Sequence, residues 1–366
     1  MNEIQYIEKS PSGKPTGRKA TIHGELVPFG HTDLLERTLG KPSRLNLRIQ
    51  NANVISSSIP EIPVGPSKPL ETTIETHLAV RHVGLVRGGW FPAGLEQAVG
   101  SVILIDRCTL TELKGRFKPG GSKASGGDFV DWLDDPNVKL SPALLALEGN
   151  QTEHPSADAI EAQMKEHAGH LRALIPNATV IGDSPKMLKA LTALAFSEQH
   201  QTASERTIEF LLSTEPLLRH PVSRARLPGV MAQIAANAGA TGLSLRDPAV
   251  MCAISAAGVR HGRNAAKRAL KFVKAPYTRK EAYNAMCDMR ALKAFASLLS
   301  VLPDENAMWC TSDKDLSLVW CGMSLSKFDP GSGLSSTTVT SSPLEAFLPM
   351  EAQLIYRQLL TDAGLT

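Results

Sequence analysis

The 366-residue chain lacks the features that assign a protein most quickly. Its five cysteines, Cys108, Cys252, Cys287, Cys310 and Cys321, include no CxxC pair. An odd count without paired spacing argues against a disulfide framework or a zinc site and favours a reducing compartment. No uninterrupted apolar run approaches membrane-spanning length, and the opening MNEIQYIEKSPSGKPTGRK has no signal-type apolar core. The expectation is a soluble, cytoplasmic protein with no membrane partner. Surplus charge is missing too. A formal net charge of +3 does not mark a nucleic-acid binder, so any basic argument has to be local. There is no internal repeat and no persuasive Ser/His/Asp or Cys/His set for nucleophilic catalysis.

What remains is an ordinary globular composition on a chain long enough for two domains. Residues 1–95 read as a separate, mostly β or irregular region. RLNLRIQNANVISS (44–57) and THLAVRHVGLV (76–86) alternate like strands, and the Pro/Ser-rich SSSIPEIPVGPSKP (56–69) interrupts them as extended loop. From residue 96 strands alternate with helices, which predicts an α/β domain with a parallel sheet over 96–328. The apolar strand 101–106 leads to a Gly/Lys-rich loop, KGRFKPGGSKASGGD. LSPALLALEGN predicts a helix with Ser141 as N-cap, Pro142 at its first position and Gly149 as terminator. ATVIGDS (178–184) is a second buried strand entering the helix PKMLKALTALAF. Residues 200–280 read as largely helical, EAYNAMCDMRALKAFASLL as a periodic helix, and AMWCTSD as a third strand. Residues 329–366 hold a linker, DPGSGLSSTTVTSS, and a closing amphipathic helix.

The informative anomaly is acid where leucine belongs. Leu292, Phe295 and Leu299 form a helical stripe, and four residues before Leu292 that stripe carries Asp288. Glu148 shares the face of Leu144 and Leu145, while the strands at 101–106 and 307–313 end on Asp106 and Asp313, with Asp315 just beyond. The carboxyl ends of parallel strands share one edge, where ligands usually bind. Taken singly, each acid also fits a cap, a turn or a buried salt bridge. Together, Asp106, Glu148, Asp288 and Asp313 in one pocket need a cation, because like charges raise one another's pKa. Hard oxygen donors without Cys or His favour Mg²⁺ or Mn²⁺.

These residues resemble the acidic set of PIN-domain nucleases. The strand ending in Asp106, a Glu on a following helix, the helical NAMCDMRAL and the closing TSDKDL carry the likeness, which spans about residues 98–325. The closing piece, Thr311, Asp313 and Asp315 with Leu316 behind them, is the most specific. Two features depart from the family. Arg107 and Cys108 follow the first Asp where a small or polar pair is usual. The interval from Glu148 to Asp288 implies a large helical insertion, at about 187–280, and leaves Glu112 and Asp128 as substitutes for Glu148. The resemblance implies a PIN-like, Rossmann-like three-layer fold and a Mg/Mn-dependent endonuclease acting on RNA. Asp106, Glu148, Asp288 and Asp313 would be catalytic metal ligands, Thr311 an orienting hydroxyl and Asp315 an accessory ligand.

A nucleic acid also needs cations. RHGRNAAKRALKFVKAPYTRK (260–280) holds eight Lys/Arg and no acid. On a helix Arg263, Lys267, Lys271 and Lys274 fall on one stripe opposite Ala265, Ala269, Phe272 and Val273, which predicts a basic amphipathic helix against the phosphate backbone. Two other readings stand beside the nuclease. One is a non-catalytic PIN-like module binding RNA or protein, with residues 1–95 as the surface for a partner or self-association. The other is a haloacid-dehalogenase-like phosphatase, loosely suggested by Asp106 with Thr109 and by Asp183 in VIGDSPKMLKAL. That family's acid/base Asp is here Cys108, so the phosphatase chemistry lacks its proton donor.

Overall fold

The structure, a computed structural model, describes residues 2–10, 14–66, 70–95, 102–118, 120, 122–123, 127–148, 156–185, 188, 198–260, 264–301, 307–329 and 338–365. The N-terminal part is antiparallel. Strands β1 (Asn2–Lys9), β2 (Pro15–Val27), β3 (Pro42–Ser57), β4 (Gly65–Pro66) and β5 (Leu70–Ala79) form a five-stranded sheet in the order β1-β2-β3-β4, with β5 also on β3. The alternation along β3 places Leu45, Leu47 and Ile49 inside, as a period of two requires.

The main sheet has six strands. They are β6 (Val83–Val86), β7 (Gly89–Pro92), β8 (Val102–Ile105), β11 (Lys139–Ser141), β12 (Thr179–Val180) and β13 (Ala307–Thr311). Small hairpins β9–β10 (Phe117–Lys118, Ser122–Lys123) and β14–β15 (Leu325–Asp329, Thr338–Ser341) lie outside it. The order is β12-β11-β8-β13-β6-β7, parallel from β12 to β13 and antiparallel beyond. The protein is therefore mixed α/β with a mostly parallel central sheet, and eleven α-helices occur among the described residues. VILI and AMWCT are unbroken apolar or near-apolar runs because their strands are buried. The chain winds from β8 to β11 and β12 on one side and returns as β13 on the other. The direction of winding thus reverses between β8 and β13, and that reversal opens a crevice at their carboxyl ends.

One contiguous apolar core runs from Phe29 and Leu34 through the sheet to Tyr356. Phe295 stacks obliquely on Trp320 at 4.9 Å and meets Trp309 edge-on at 6.0 Å, fixing helix Arg279–Val301 against the sheet. The N-terminal part is tied in at Trp90. Phe29 and Trp90 exchange backbone hydrogen bonds of 2.9 and 3.1 Å, and the Trp90 indole N–H donates to the Gly30 carbonyl. Gly89 permits this approach, since a Cβ there would lie 2.2 Å from the Phe29 carbonyl oxygen.

Several elements differ from the sequence expectations. Hairpin β6–β7, which the pattern groups with residues 1–95, pairs with β13 in the main sheet. Ser141 is the last residue of β11, paired opposite Leu104, so it is not a helix cap; the following helix is Ala143–Glu148. Pairing with a central strand outweighs the local capping preference. The strand expected at 178–184 is only Thr179–Val180, ended by Gly182 at φ +110°. The helix expected at 185–196 lies mostly outside the described residues. The linker expected at 329–342 is bounded by β14 and β15, and residues 330–337 lie outside the description. No helix among the described residues is long and apolar enough to cross a membrane.

Replacing Gly89 by alanine should destabilise the fold by about 1–3 kcal/mol, the scale of forced overpacking. A denaturant melt reads this directly, and an unchanged midpoint would contradict the Phe29–Trp90 tie.

Candidate functional site

The β8–β13 crevice gathers acid from three elements. Asp106 directly follows β8 and caps helix Arg107–Arg116. Its Oδ1 accepts from the Thr109 amide at 2.8 Å, and the Thr109 hydroxyl shares its proton between that oxygen at 2.9 Å and the Cys310 carbonyl at 2.8 Å. Thr311, the last residue of β13, donates its hydroxyl to Asp106 and accepts the Asp313 amide at 3.1 Å. Asp313 caps helix Lys314–Met323, its Oδ1 accepting from the Asp315 and Leu316 amides at 2.9 Å each. Both strand-end aspartates are thus N-caps, as the single-residue reading allowed, and both lie at the crevice.

Asp288, from helix Arg279–Val301, completes the cluster. Its Oδ2 lies 2.8 Å from the Lys271 ammonium, which is 4.0 Å from Asp313 Oδ2. Burial pushes the Asp288 carboxyl up to about 6; Lys271 opposes this, and the charges of Asp313 and Asp106 add to it. Burial likewise raises Asp106, against the hydrogen bonds from Thr311 and Thr109, with Asp313 adding its repulsion. Lys271 answers that surplus. Burial alone would lower its pKa, but Asp288, Asp313 and Asp315 more than reverse the effect. The residue holds φ +61°, a left-handed backbone that a non-glycine adopts only where its surroundings demand it. Asp315 is paired separately, its Oδ2 at 2.5 Å from Arg268.

The structure therefore brings Asp106, Asp288, Asp313 and Thr311 together, with Asp315 beside them. Helix Ala143–Glu148 packs against β8 and against the Asp288 helix, but the Glu148 side chain lies outside the described residues. The substitutes belong elsewhere. Glu112 binds Arg116 at 2.8 Å, and buried Asp128 faces Arg116 and Arg81. Asp183 forms a two-pronged ion pair with Arg172, at 2.7 and 2.9 Å.

The basic segment is not the expected continuous helix. Among its described residues the segment is helical over Ala265–Ala269 and again from Arg279; a turn follows Ala269, and Lys271 at φ +61° leaves the helical conformation. Its cations consequently diverge. Lys271 points into the acids, Lys267 donates to the Arg219 carbonyl at 3.0 Å, Lys274 is exposed, and Arg263 lies outside the described residues. Sequence reasoning missed the inward role of Lys271 and the pairing of Arg268 with Asp315. Pro276, close behind Lys271, was the available signal against one long helix.

Three carboxylate side chains are the donor type that a hard divalent cation takes, and burial, with a smaller part from their mutual repulsion, raises the carboxyls of Asp106 and Asp288. Their ligand atoms are not drawn into a tight shell. Among the described residues the one His/Cys/Asp/Glu group gathered within 4.8 Å is Glu166, His167 and His170, on helix Ala157–Leu174. Within the acid cluster, the Lys271 ammonium occupies the gap between Asp288 and Asp313. No family model matches the chain, and no curated protein or solved structure is significantly similar to it.

Because Asp288 is raised from 3.8 to about 6, the native state binds more protons than the unfolded chain across that window. Stability contributed by this group falls as pH rises through it. Relative to Asp288→Asn, the wild-type chain should lose on the order of 2 kcal/mol between about pH 4 and about pH 7. Denaturant melts at both pH values check this; a pH-independent difference would contradict it.

Proposed function

We propose that the chain is a metal-dependent endonuclease that hydrolyses phosphodiester bonds, with RNA as its substrate class. One observation carries the reading: Asp106 and Asp313 end adjacent parallel strands at the winding reversal, and Asp288 reaches the same point from a third element. The acids it gathers are three of the four that the PIN-like resemblance implies, and the strand order β12-β11-β8-β13 is that of doubly wound sheets in general.

Asp106, Asp288 and Asp313 would hold Mg²⁺ or Mn²⁺, for which their oxygens suit in kind. When bound, such an ion lowers the pKa of a coordinated water and offsets charge on the phosphoryl transition state. The chain's own residues supply the rest. Thr311 orients the Asp106 carboxylate and ties it to the Asp313 amide. The caps at Thr109, Asp315 and Leu316 hold Oδ1 of each strand-end aspartate, fixing the direction of the carboxylates. Lys271 keeps Asp288 and Asp313 together without the ion, and on substrate binding its ammonium is free to turn to a phosphate oxygen. Arg268 and the exposed Lys274 extend positive charge from the same segment, drawing a polyanion to an otherwise acidic edge.

Purified protein with Mg²⁺ should cleave single-stranded RNA, and EDTA should abolish the cleavage. Asp106→Asn and Asp313→Asn should each reduce the rate on the order of 100-fold or more, the scale of removing one preorganised electrostatic group. RNA that is bound but never cut would replace this reading with the non-catalytic module.

A further inference from the structure

Helix Ala157–Leu174 carries the sequence EHAGH at residues 166–170. One side of this helix is packed. Ile160, Met164, Ala168, Leu171 and Leu174 are buried, and the helix rests on helix Ala143–Glu148, helix Arg107–Arg116 and β12. Glu166 and His170 lie on the side left open, with His167 half-buried at its border. We propose that Glu166, His167 and His170 form a second metal site that takes Zn²⁺. It is built on a different element from the acid cluster and does not rest on the nuclease reading.

Helical spacing brings the three together. At about 100° per residue, His170 projects between Glu166, four residues back, and His167, three residues back, so one ring meets both neighbours. The two imidazole rings are 6.4 Å apart between centroids and inclined at 37°. One ligand atom from each of the three side chains falls within 4.8 Å of the others. These contacts are unfinished. Nδ1 of His167 and Nδ1 of His170 are both closed to solvent and have no hydrogen-bond partner. The latter stands 3.9 Å from Glu166 Oε1, beyond hydrogen-bond length. Among the described residues Glu166 has no ion pair with a lysine or arginine, whereas the adjacent Lys165 is engaged by Glu161 at 2.5 Å. A metal ion supplies what the three side chains do not supply one another, a single partner that accepts a lone pair from each.

Donor chemistry selects the ion. Two imidazoles and one carboxylate suit zinc and its first-row neighbours, whereas Mg²⁺ prefers oxygen throughout. The missing CxxC pairs bear on thiolate-held zinc alone. Burial lowers the His167 imidazole below its ordinary value, Glu166 works against that, and Lys114, His170 and Arg107 add to it. The ring is therefore neutral at physiological pH, the form that coordinates a metal. Three protein ligands leave a position for water, the pattern of an open zinc site. Room for it exists, since a Cβ on the exposed Gly169 would meet nothing within 4 Å. Glycine also weakens a helix interior, and an ion bridging residues 166 and 170 ties together the turn that contains it.

The test uses the full chain without an affinity tag, in excess Mg²⁺ so that oxygen-only sites are filled. Equilibrium dialysis should find one zinc ion per chain, and X-ray absorption at the zinc edge should show imidazole ligands. His167→Ala, His170→Ala and Glu166→Gln should each weaken binding by about tenfold or more, the least that losing even a ligand's outer partner does. Zinc should raise the wild-type melting temperature and leave that of His170→Ala unchanged. The side chains of Glu166 and His170 are 61% and 42% exposed, so those two variants carry the test should His167→Ala not fold. An unchanged metal-free melting temperature verifies their folding. Cys108→Ser and Asp288→Asn should bind zinc as the wild type does. Wild-type zinc affinity in folded His170→Ala or Glu166→Gln would overturn the proposal. So would a zinc spectrum without imidazole, zinc lost on Cys108→Ser, or zinc displaced by Mg²⁺. Zinc held as expected by a chain that cuts no RNA leaves this site standing and removes the nuclease reading alone.

Discussion

The electrostatic conflict at the ends of β8 and β13 governs the rest of the site. Two aspartates on neighbouring parallel strands, joined by a third from helix Arg279–Val301, place negative charge where burial makes it costly. The protein meets that cost in three ways: helix amides take Oδ1 of both strand-end acids, threonine hydroxyls brace Asp106, and Lys271 reaches in against Asp288. Even so, Asp106 and Asp288 remain raised, so the compensation is incomplete. Lys271 holds a left-handed backbone while its ammonium meets Asp288 and Asp313, a conformation that persists only where the surroundings over-determine it.

The caps connect fold and chemistry. Asp106 starts its helix directly after β8 and Asp313 two residues past the end of β13, so the aspartate that starts each helix also faces the crevice. Capping alone would explain one such residue. It does not explain why Asp288, in the middle of a 23-residue helix, occupies a core-facing position and shares a lysine with Asp313. That convergence raises a charged cluster above a set of ordinary turn residues.

Much of the site was legible because it follows from periodicity. The run VILI with an acid after it, the break in the Leu292–Phe295–Leu299 stripe, and the TSDKDL turn are all local patterns, and their elements form where the patterns place them. What escaped was tertiary. Ser141 looks like a cap but is a strand residue because β8 pairs with it. Hairpin β6–β7 joins the main sheet through partners more than two hundred residues away, which no local window records. Lys271 seemed to be on an outer stripe because the wheel assumed one helix from Arg263 to Lys274; the helix ends at Ala269, and the left-handed backbone at Lys271 turns the side chain inward.

The central claim is that the three acids form a cation site for which Lys271 stands in. A crystal structure of the full chain soaked in Mn²⁺, phased on the anomalous signal of the metal, tests it most directly. The expected result is one or two peaks within bonding distance of Asp106, Asp288 and Asp313, with the Lys271 ammonium moved off Asp288. A fully occupied Lys271–Asp288 pair and no anomalous peak among these carboxylates, at manganese concentrations that saturate known sites of this type, would contradict it.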